Sequence, residues 1–306
     1  MVFYTLALSC RDSMVNYYDF VKEHPEEYKQ FSCKELLFVI CECPSDFKKS
    51  EDWTEHNCFL YIMNGEIIMH SRETSWRLKE GDSAFLKKGG CSIERAEHHT
   101  FCSLLFYVPD SYIRSFIREN IRWLGPNDSP PVSRSMLLPV EMNEVLRSFY
   151  ESVISYFVAS TQPPEDLLEL KFRELLLNTI INQANRELKA YFQKLAVSDM
   201  DDLEDVMERN CLYNLQLHEY ARLCHRSLSS FKRDFQTVYD MPPGRWLLEK
   251  RLEAAHHLLL TTDKPVLDVA AESGFANHAH FSRAFRNLYA MSPLQCRRQL
   301  TSVTEH

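Results

Sequence analysis

Two histidines lie one residue apart in the stretch ESGFANHAHFSRAF, residues 272–285. Histidine binds metals and transfers protons near neutral pH, so His278 and His280 raise the question of a metal site or a catalytic pair. Asn277 is a good helix cap, and residues i and i+2 of a helix point about 200° apart because each residue turns about 100°. We therefore expect no joint metal binding by the two histidines, and an exposed surface that includes Arg283 is the better interpretation.

This stretch belongs to one of two similar helical units. The first unit, residues 215–239, predicts a short helix, a turn and a second helix, which Ser227 would cap through its hydroxyl. Small Ala221 would let the two helices cross closely, as a helix-turn-helix requires. The second helix is predicted to bury four apolar residues at helical spacing: Leu228, Phe231, Phe235 and Val238.

The second unit, residues 266–289, matches the first with one residue inserted at the turn. Ala270 matches Ala221 at an offset of 49 residues, and Phe281 matches Phe231 at an offset of 50. Residues 242–260 between the units predict one connecting helix, since prolines stand at its start and its apolar residues recur at helical spacing. A helix of about 16 residues within this range would be about 24 Å long and could hold two helices that enter successive major grooves, about 34 Å apart.

Charge is distributed unevenly along the chain. The net charge is −8, yet residues 210–300 carry 12 Lys and Arg against 8 Asp and Glu. This asymmetry favours a nucleic-acid module attached to an acidic remainder.

The first hundred residues predict a β domain. Residues 59–69 hold two apolar runs joined by Asn64 and Gly65, which predicts a hairpin with a type I′ turn. Further turns are predicted at residues 81–82 and 87–90, and residues 101–108 predict a last buried strand. Several short strands separated by turn residues indicate a small barrel or sandwich.

Helical patterns begin after Pro109. A first helix is followed by two longer ones, at residues 140–158 and 164–195. The apolar stripe of residues 164–195 is expected to pack inside its own domain, with a dimer seam as the alternative. Acidic residues 198–210 indicate a linker that runs into a short helix. The predicted domains are residues 1–108, 109–197 and 198–306.

The C-terminal motifs resemble those of the AraC family of bacterial transcription regulators. RLEAAHHLL, Pro265, DVAAESGF, FSRAFR and the pair Ser292-Pro293 follow one another in the family's order. The GDSAFLKKGG turn and the preceding β pattern resemble the cupin-like regulatory domain of many members. The stretches ELLFV and WLLEKR resemble the subgroup that activates type III secretion genes. The fold class is therefore expected to be α+β, with a small cupin-like barrel, then helices, then an all-α domain with two helix-turn-helix units.

The resemblance implies that the second helix of each unit lies in the major groove of promoter DNA. An arginine suits guanine because its two donors match the two acceptors of that base. For each position the alternative is a plain solvated surface residue, and Arg251 is expected to support the connecting helix. The candidate DNA-binding residues are Ser229, Lys232, Arg233 and Gln236 in the first unit and His278, Ala279, His280, Ser282, Arg283 and Arg286 in the second.

The resemblance also implies an activator that works with RNA polymerase in the cytoplasm. Residues 140–195 are the expected site of homodimer formation. The N-terminal domain would bind a small effector, a protein antagonist or neither. Four aromatic residues would line a pocket or, more commonly, fill the core: Trp53, Tyr61, Trp76 and Phe85. The alternative is a cupin-type small-molecule-binding or enzymatic protein whose helical domain binds a protein partner.

The sequence gives little support to a catalytic site or a metal site. A cupin metal site needs an H-x-H pair and a later histidine, but His70 has no such neighbour and Ser92 stands at the later position. His98 and His99 are adjacent, so on a strand they would point to opposite faces. None of the ten cysteines forms a C-x-x-C pair, and reduced buried thiols are expected. We predict no catalytic residue, metal or cofactor.

Residues 1–10 lack the basic segment of a signal peptide, and no run of 18 apolar residues predicts a membrane span. Three residues stand where the family usually has glycine: His225, Asp240 and Ala290. If these sites require positive φ, Ala290 would carry strain of about 1 kcal/mol or more.

Overall fold

The computed structural model describes residues 14–43, 49–71, 74–95, 100–124, 130–159, 162–197 and 203–301. Residues 1–10, His98, His99 and the start of the acidic linker, for which predictions were made, lie outside these ranges. The chain divides into two compact units, Met1–Asp201 and Asp202–His306. The first unit contains the strands and several helices, and the second is all-α, which confirms the predicted α+β class. No helix among the described residues has the length and apolar character that a membrane span needs.

The strands of the first unit form two sheets. The six-stranded sheet has the order β11-β8-β5-β10-β3-β2, and the five-stranded sheet has the order β1-β4-β9-β6-β7. The strands are β1 (Val15–Asn16), β2 (Lys29–Cys33), β3 (Leu36–Cys43), β4 (Lys49–Thr54), β5 (Asn57–Asn64), β6 (Glu66–His70), β7 (Ser75–Lys79), β8 (Ser83–Leu86), β9 (Gly89–Arg95), β10 (Phe101–Val108) and β11 (Leu137–Val140).

The predicted hairpin at Asn64 and Gly65 is wrong. β5 pairs with β8 and β10, whereas β6 pairs with β7 and β9, so the turn carries the chain from one sheet to the other. Gly65 has φ +85°, but Asn64 lacks the positive φ that a type I′ turn requires. A Cβ on Gly65 would lie 2.8 Å from the carbonyl oxygen of Thr100, so glycine is needed for close packing as well.

Both faces of the six-stranded sheet are buried. Phe38, Phe59 and Phe106 point into one hydrophobic cluster, and their neighbours such as Val39 and Leu60 point into another. Successive residues of a strand face opposite sides, so a sheet covered on both faces needs continuous apolar runs. This explains why the apolar segments of the sequence do not alternate with polar residues.

Helices cover one of these faces. The helices of the first unit are α1 (Tyr17–Glu23), α2 (Asp110–Glu119), α3 (Glu144–Val158), α4 (Glu165–Ile181) and α5 (Arg186–Val197). The inward residues of α4, including Phe172 and Leu175, join the same cluster as Phe38. Most of the apolar stripe therefore fills the core of its own unit.

One long helix was predicted over residues 164–195, and the structure contains two. Two asparagines stabilise the break. Asn185 accepts a hydrogen bond from the backbone of Glu141 and donates to the carbonyl of Thr179. Asn182 donates to the carbonyl of Glu141. Asparagine side chains compete with helical hydrogen bonds in this way, and the apolar periodicity does not record that competition.

The aromatic residues considered for a pocket belong to separate regions of the first unit. Tyr61 and Phe85 lie in the cluster between sheet and helices, whereas Trp76 packs against the cluster on the other face. Phe85 and Trp53 are 0% and 2% exposed, as core residues are. These positions favour the core interpretation over a shared binding pocket.

The described cysteines are free thiols. Burial raises the pKa of Cys58 well above its usual range and raises the pKa of Cys102 to about 11. A thiol that stays protonated at neutral pH is a poor nucleophile and a poor metal ligand. These two cysteines therefore act as small apolar residues.

The second unit contains seven helices among the described residues. They are α6 (Leu203–Asn210), α7 (Leu217–Leu223), α8 (Leu228–Tyr239), α9 (Pro243–Thr261), α10 (Val266–Glu272), α11 (His278–Tyr289) and α12 (Pro293–Thr301). α9 is the predicted connecting helix, and its 19 residues span about 28 Å. α7–α8 and α10–α11 are the two predicted helix-turn-helix units.

The three residues that stand where the family usually has glycine all adopt the left-handed backbone conformation. His225, Asp240 and Ala290 have φ of +50°, +53° and +56°. Asp and His tolerate this region better than Ala, because a short or polar side chain can form compensating local hydrogen bonds. Ala290, at the C-terminal end of α11, is therefore a strained position.

Ala290→Gly is expected to raise the free energy of unfolding by about 1 kcal/mol, because glycine adopts positive φ without steric cost. Ala271→Gly, at an exposed helical position of α10, is the matched control and should lower it by about 1 kcal/mol. Urea denaturation followed by circular dichroism measures both. A loss of stability in both variants would contradict the strain at Ala290.

Candidate nucleic-acid interface

The two turns of the second unit have the same geometry. His225 and Gly274 occupy equivalent left-handed positions. The backbone amide of Arg226 donates to the carbonyl of Ala221 at 2.9 Å, and that of Phe275 donates to the carbonyl of Ala270 at 3.0 Å. Tight turns of this kind fix the angle between the two helices of each unit.

Side-chain caps begin α8 and α11, as predicted. Ser227 Oγ accepts from the amide of Ser230 at 3.2 Å, and Asn277 Oδ1 accepts from the amide of His280 at 2.9 Å. Such caps satisfy amides that a helix leaves without partners. Each helix then runs for 12 residues, so the two can be compared position by position.

Paired phenylalanines fix the orientation of both helices. Phe231 and Phe235 of α8 and their counterparts Phe281 and Phe285 of α11 are fully buried. The predicted burial of Leu228 and Val238 is wrong, since these side chains are 38% and 48% exposed. Both residues have the helical spacing of the buried stripe, but they lie at its edge, where the side chain stays exposed.

Most of the candidate DNA-binding side chains are on the outward faces of these helices. Ser282 is half-buried, and the nine others are exposed: Ser229, Lys232, Arg233, Gln236, His278, Ala279, His280, Arg283 and Arg286. The four on α8 have counterparts at an offset of 50 residues on α11. The two helices thus present exposed side chains at equivalent positions.

The two surfaces differ in charge. No acidic residue occurs in residues 273–290, so Arg283 and Arg286 make the charge of α11 positive. On α8, Arg233 Nε lies 3.3 Å from the carboxylate of Asp234. Positive side chains on a helix surface attract the phosphates of nucleic acid.

Arg251 supports the fold, as expected. Its Nε donates to the carbonyl of Cys211 at 2.9 Å, and its Nη2 donates to the carbonyl of Tyr213 at 2.7 Å. Gly274 lies beside it, and a Cβ there would be 3.0 Å from Arg251 Nε and 2.5 Å from the carbonyl oxygen of Leu212. This guanidinium therefore links α9, the segment before α7 and the second turn.

Two residues of this surface were missed by the sequence analysis. Leu228 is exposed at the first position of α8, where its counterpart on α11 is His278. Asp234 contacts both Arg226 and Arg233. The offset of 50 residues could have revealed Leu228, because it aligns with a candidate residue. No sequence pattern singles out Asp234.

The structure brings no metal-binding group together within its described part: no three histidine, cysteine or acidic side chains are placed to hold a metal ion. His70 instead lies 3.1 Å from Glu94 and 2.8 Å from Ser75 Oγ. Ser92 is buried in β9. His278 and His280 both lie on the exposed surface of α11.

Two known protein-family models match the chain. The model of the ExsA N-terminal regulatory domain matches residues 57–191, and a helix-turn-helix domain model matches residues 220–299. The first match combines strands and helices of the first unit. The second match includes α7–α8 and α10–α11 together with α9.

Several characterised proteins are similar over most of the chain. The thermoregulatory protein LcrF of Yersinia pestis is 28% identical over 78% of this chain and 88% of its own length. The virulence regulon transcriptional activator VirF of Yersinia enterocolitica is 27% identical over the same shares. The HTH-type transcriptional regulator ExsA of Pseudomonas aeruginosa is 22% identical over 77% of this chain and 84% of its own length.

Proposed function

The chain belongs to the AraC family of DNA-binding transcription regulators, and we propose that it binds promoter DNA by placing α8 and α11 in successive major grooves. The observation that carries this proposal is the equivalence of the two units. Both present a 12-residue helix with a buried phenylalanine pair and an exposed polar face. Both also contact the same connecting helix, through Trp246 in the first unit and His256 in the second.

The proposal gives the side chains different tasks along each helix. In it, Arg233 and Arg283 contact guanine edges, since arginine forms two parallel hydrogen bonds to that base. Leu228 adds an apolar contact suited to a thymine methyl group. Arg286 and half-buried Ser282 contact phosphates and fix the register of α11 on the duplex.

The regulator is proposed to activate transcription, in contact with RNA polymerase, in the cytoplasm. The name of the relative VirF supports activation. The match to the ExsA N-terminal regulatory domain supports membership of the subgroup that activates type III secretion genes. In this proposal the protein performs no catalysis, and its first unit responds to a small effector or a protein antagonist. The domain division at residues 1–108, 109–197 and 198–306 remains part of this proposal.

Arg283→Ala is expected to weaken binding to a duplex that the wild-type protein selects from a random library by about 1–3 kcal/mol. Binding to a scrambled duplex of the same composition should change little. Arg245→Ala is the matched control, because this exposed arginine pairs with Glu249 on α9, outside α8 and α11. Anisotropy titrations of the wild-type protein and both variants on the two duplexes measure these six affinities. Unchanged selected-duplex affinity in folded Arg283→Ala would contradict the assignment.

The first unit is proposed to form a homodimer through the outer face of α4. Leu170 and Ile181 lie three turns apart on one face and are 61% and 48% exposed, although the rest of the apolar stripe is largely buried. Exposed apolar residues aligned along a helix are typical of helix pairing. α3 adds exposed Val145 and Val158 to the same unit.

Leu170→Glu combined with Ile181→Glu is expected to convert a dimer into a monomer, since it places charges in the apolar contact. Sedimentation equilibrium of the full chain at tens of micromolar measures the mass. Leu267→Glu, the same kind of change at a 63% exposed leucine of the second unit, is the control and should leave a dimer. A monomeric wild-type protein would exclude this dimer.

A further inference from the structure

Asp234 of α8 lies close to two arginines, one in the turn before α8 and one in α8 itself. Asp234 Oδ2 lies 3.3 Å from Arg226 Nε, and Asp234 Oδ1 lies 3.3 Å from Arg233 Nε. Ser230 Oγ donates to Asp234 at 3.3 Å, and Arg233 Nη2 donates to Ser230 Oγ at 3.2 Å. One carboxylate is therefore shared by an arginine of the turn and an arginine of the DNA-facing surface.

The matched positions of α11 contain no such cluster. Ala284 stands at the position of Asp234, and His280 stands at that of Ser230. Arg283, the counterpart of Arg233, donates from its Nε to the carbonyl of Ala279 in its own helix at 3.4 Å. Among the described residues, the arginine of α8 pairs with a carboxylate and the arginine of α11 does not.

The two arginines of the cluster differ in exposure. The Arg226 side chain is 11% exposed, that of Asp234 is 27% exposed and that of Arg233 is 75% exposed. The Arg226 contact is thus a largely buried ion pair without a hydrogen bond at Nε, while exposed Arg233 donates a hydrogen bond to the same carboxylate and remains within reach of a ligand. Adjacent helix positions point about 100° apart, so Arg233 must fold back along the helix to reach Asp234.

A phosphate and a guanine differ in how well each can replace Asp234 as the partner of Arg233. An exposed ion pair is weak, so a phosphate that replaces Asp234 exchanges one anion for another with little gain. A guanine offers Arg233 two parallel hydrogen bonds through O6 and N7. The carboxylate also repels phosphates that approach out of register. A charge of this kind therefore lowers non-specific binding more than specific binding.

We propose that Asp234 sets the sequence specificity of α8, because it neutralises Arg226 and Arg233 until a correctly placed base edge recruits Arg233. This proposal rests on the proposed DNA-binding function. It assigns to Asp234 a positioning role that acts through the arginines. It also assigns different behaviour to the two matched arginines: Arg283 of α11 meets its base without a competing carboxylate, whereas Arg233 of α8 does so only when Asp234 releases it.

Asp234→Asn tests the proposal with the two duplexes of the Arg283 experiment. The variant should bind the scrambled duplex about three- to fivefold more tightly, as expected when an exposed ion pair is released. The selected duplex should change less than about twofold, and the salt dependence on the scrambled duplex should steepen by about one phosphate contact. Asp240→Asn is the matched control, because it makes the same charge change at an exposed left-handed residue that asparagine tolerates. It should alter both duplexes by the same factor.

Adding Arg233→Ala distinguishes the proposal from a general charge effect. If Asp234 acts through Arg233, Asp234→Asn in the Arg233→Ala protein should lower the ratio of selected-duplex to scrambled-duplex affinity no more than Asp240→Asn does. Asp234→Ala introduces the residue that α11 has at the matched position 284. It should change the two affinities as Asp234→Asn does, and it replaces Asp234→Asn in the test if that variant is unstable. Equal effects of Asp234→Asn on both duplexes, or an undiminished effect in Arg233→Ala, would overturn the proposal.

The same titrations separate this proposal from the function it rests on. A wild-type protein that does not prefer its selected duplex would refute the DNA-reading function itself. A wild-type preference that Arg283→Ala lowers and Asp234→Asn leaves unchanged would refute only the role of Asp234.

Discussion

Aromatic contacts with α9 determine where both DNA-facing helices lie in the second unit. Tyr239, at the end of α8, lies 5.0 Å from Trp246 between ring centroids, and Tyr289, at the end of α11, stacks on His256 at 4.5 Å. Trp246 and His256 are ten residues apart, or about 15 Å along the rod. Because aromatic pairs combine large buried area with preferred geometry, they fix each helix to the rod more firmly than single aliphatic contacts would.

The turns and helix ends of the second unit use left-handed backbone, which costs steric strain for residues other than glycine. The ends of α8 and α11 use left-handed Asp240 and Ala290, and the turns inside the two units use His225 and Gly274. A Cβ at Gly274 would in addition collide with the Leu212 carbonyl and crowd Arg251. The sequence therefore tolerates larger residues at the other three sites, where the cost is backbone strain rather than collision.

Local signals in the sequence predicted the second unit well. Caps at Ser227 and Asn277, the turn at Gly274 and the paired phenylalanines each depend on nearby residues, so a pattern of spacing is enough to identify them. Leu228 was misassigned because a helical stripe has two edges and spacing alone does not say which edge is covered. The Asp234 cluster depends on how side chains fold back, which spacing does not describe.

The first unit was less predictable because its contacts are non-local. Asn64 and Gly65 have the composition of a hairpin, yet the strands on either side pair with β8 and β9, which come later in the chain. Buried Lys88 and Asp110 show the same dependence, since their 2.7 Å ion pair joins the turn before β9 to the start of α2. Burial of either charge alone would be costly, so each residue depends on its partner, which the sequence around it does not indicate.

Hydroxyl-radical footprinting on a selected duplex tests the central claim most directly, namely that two helices on one rod occupy successive major grooves. The predicted result is two protected windows on one face of the DNA, with centres about 10 base pairs apart. A single protected window, or two windows on opposite faces, would contradict it.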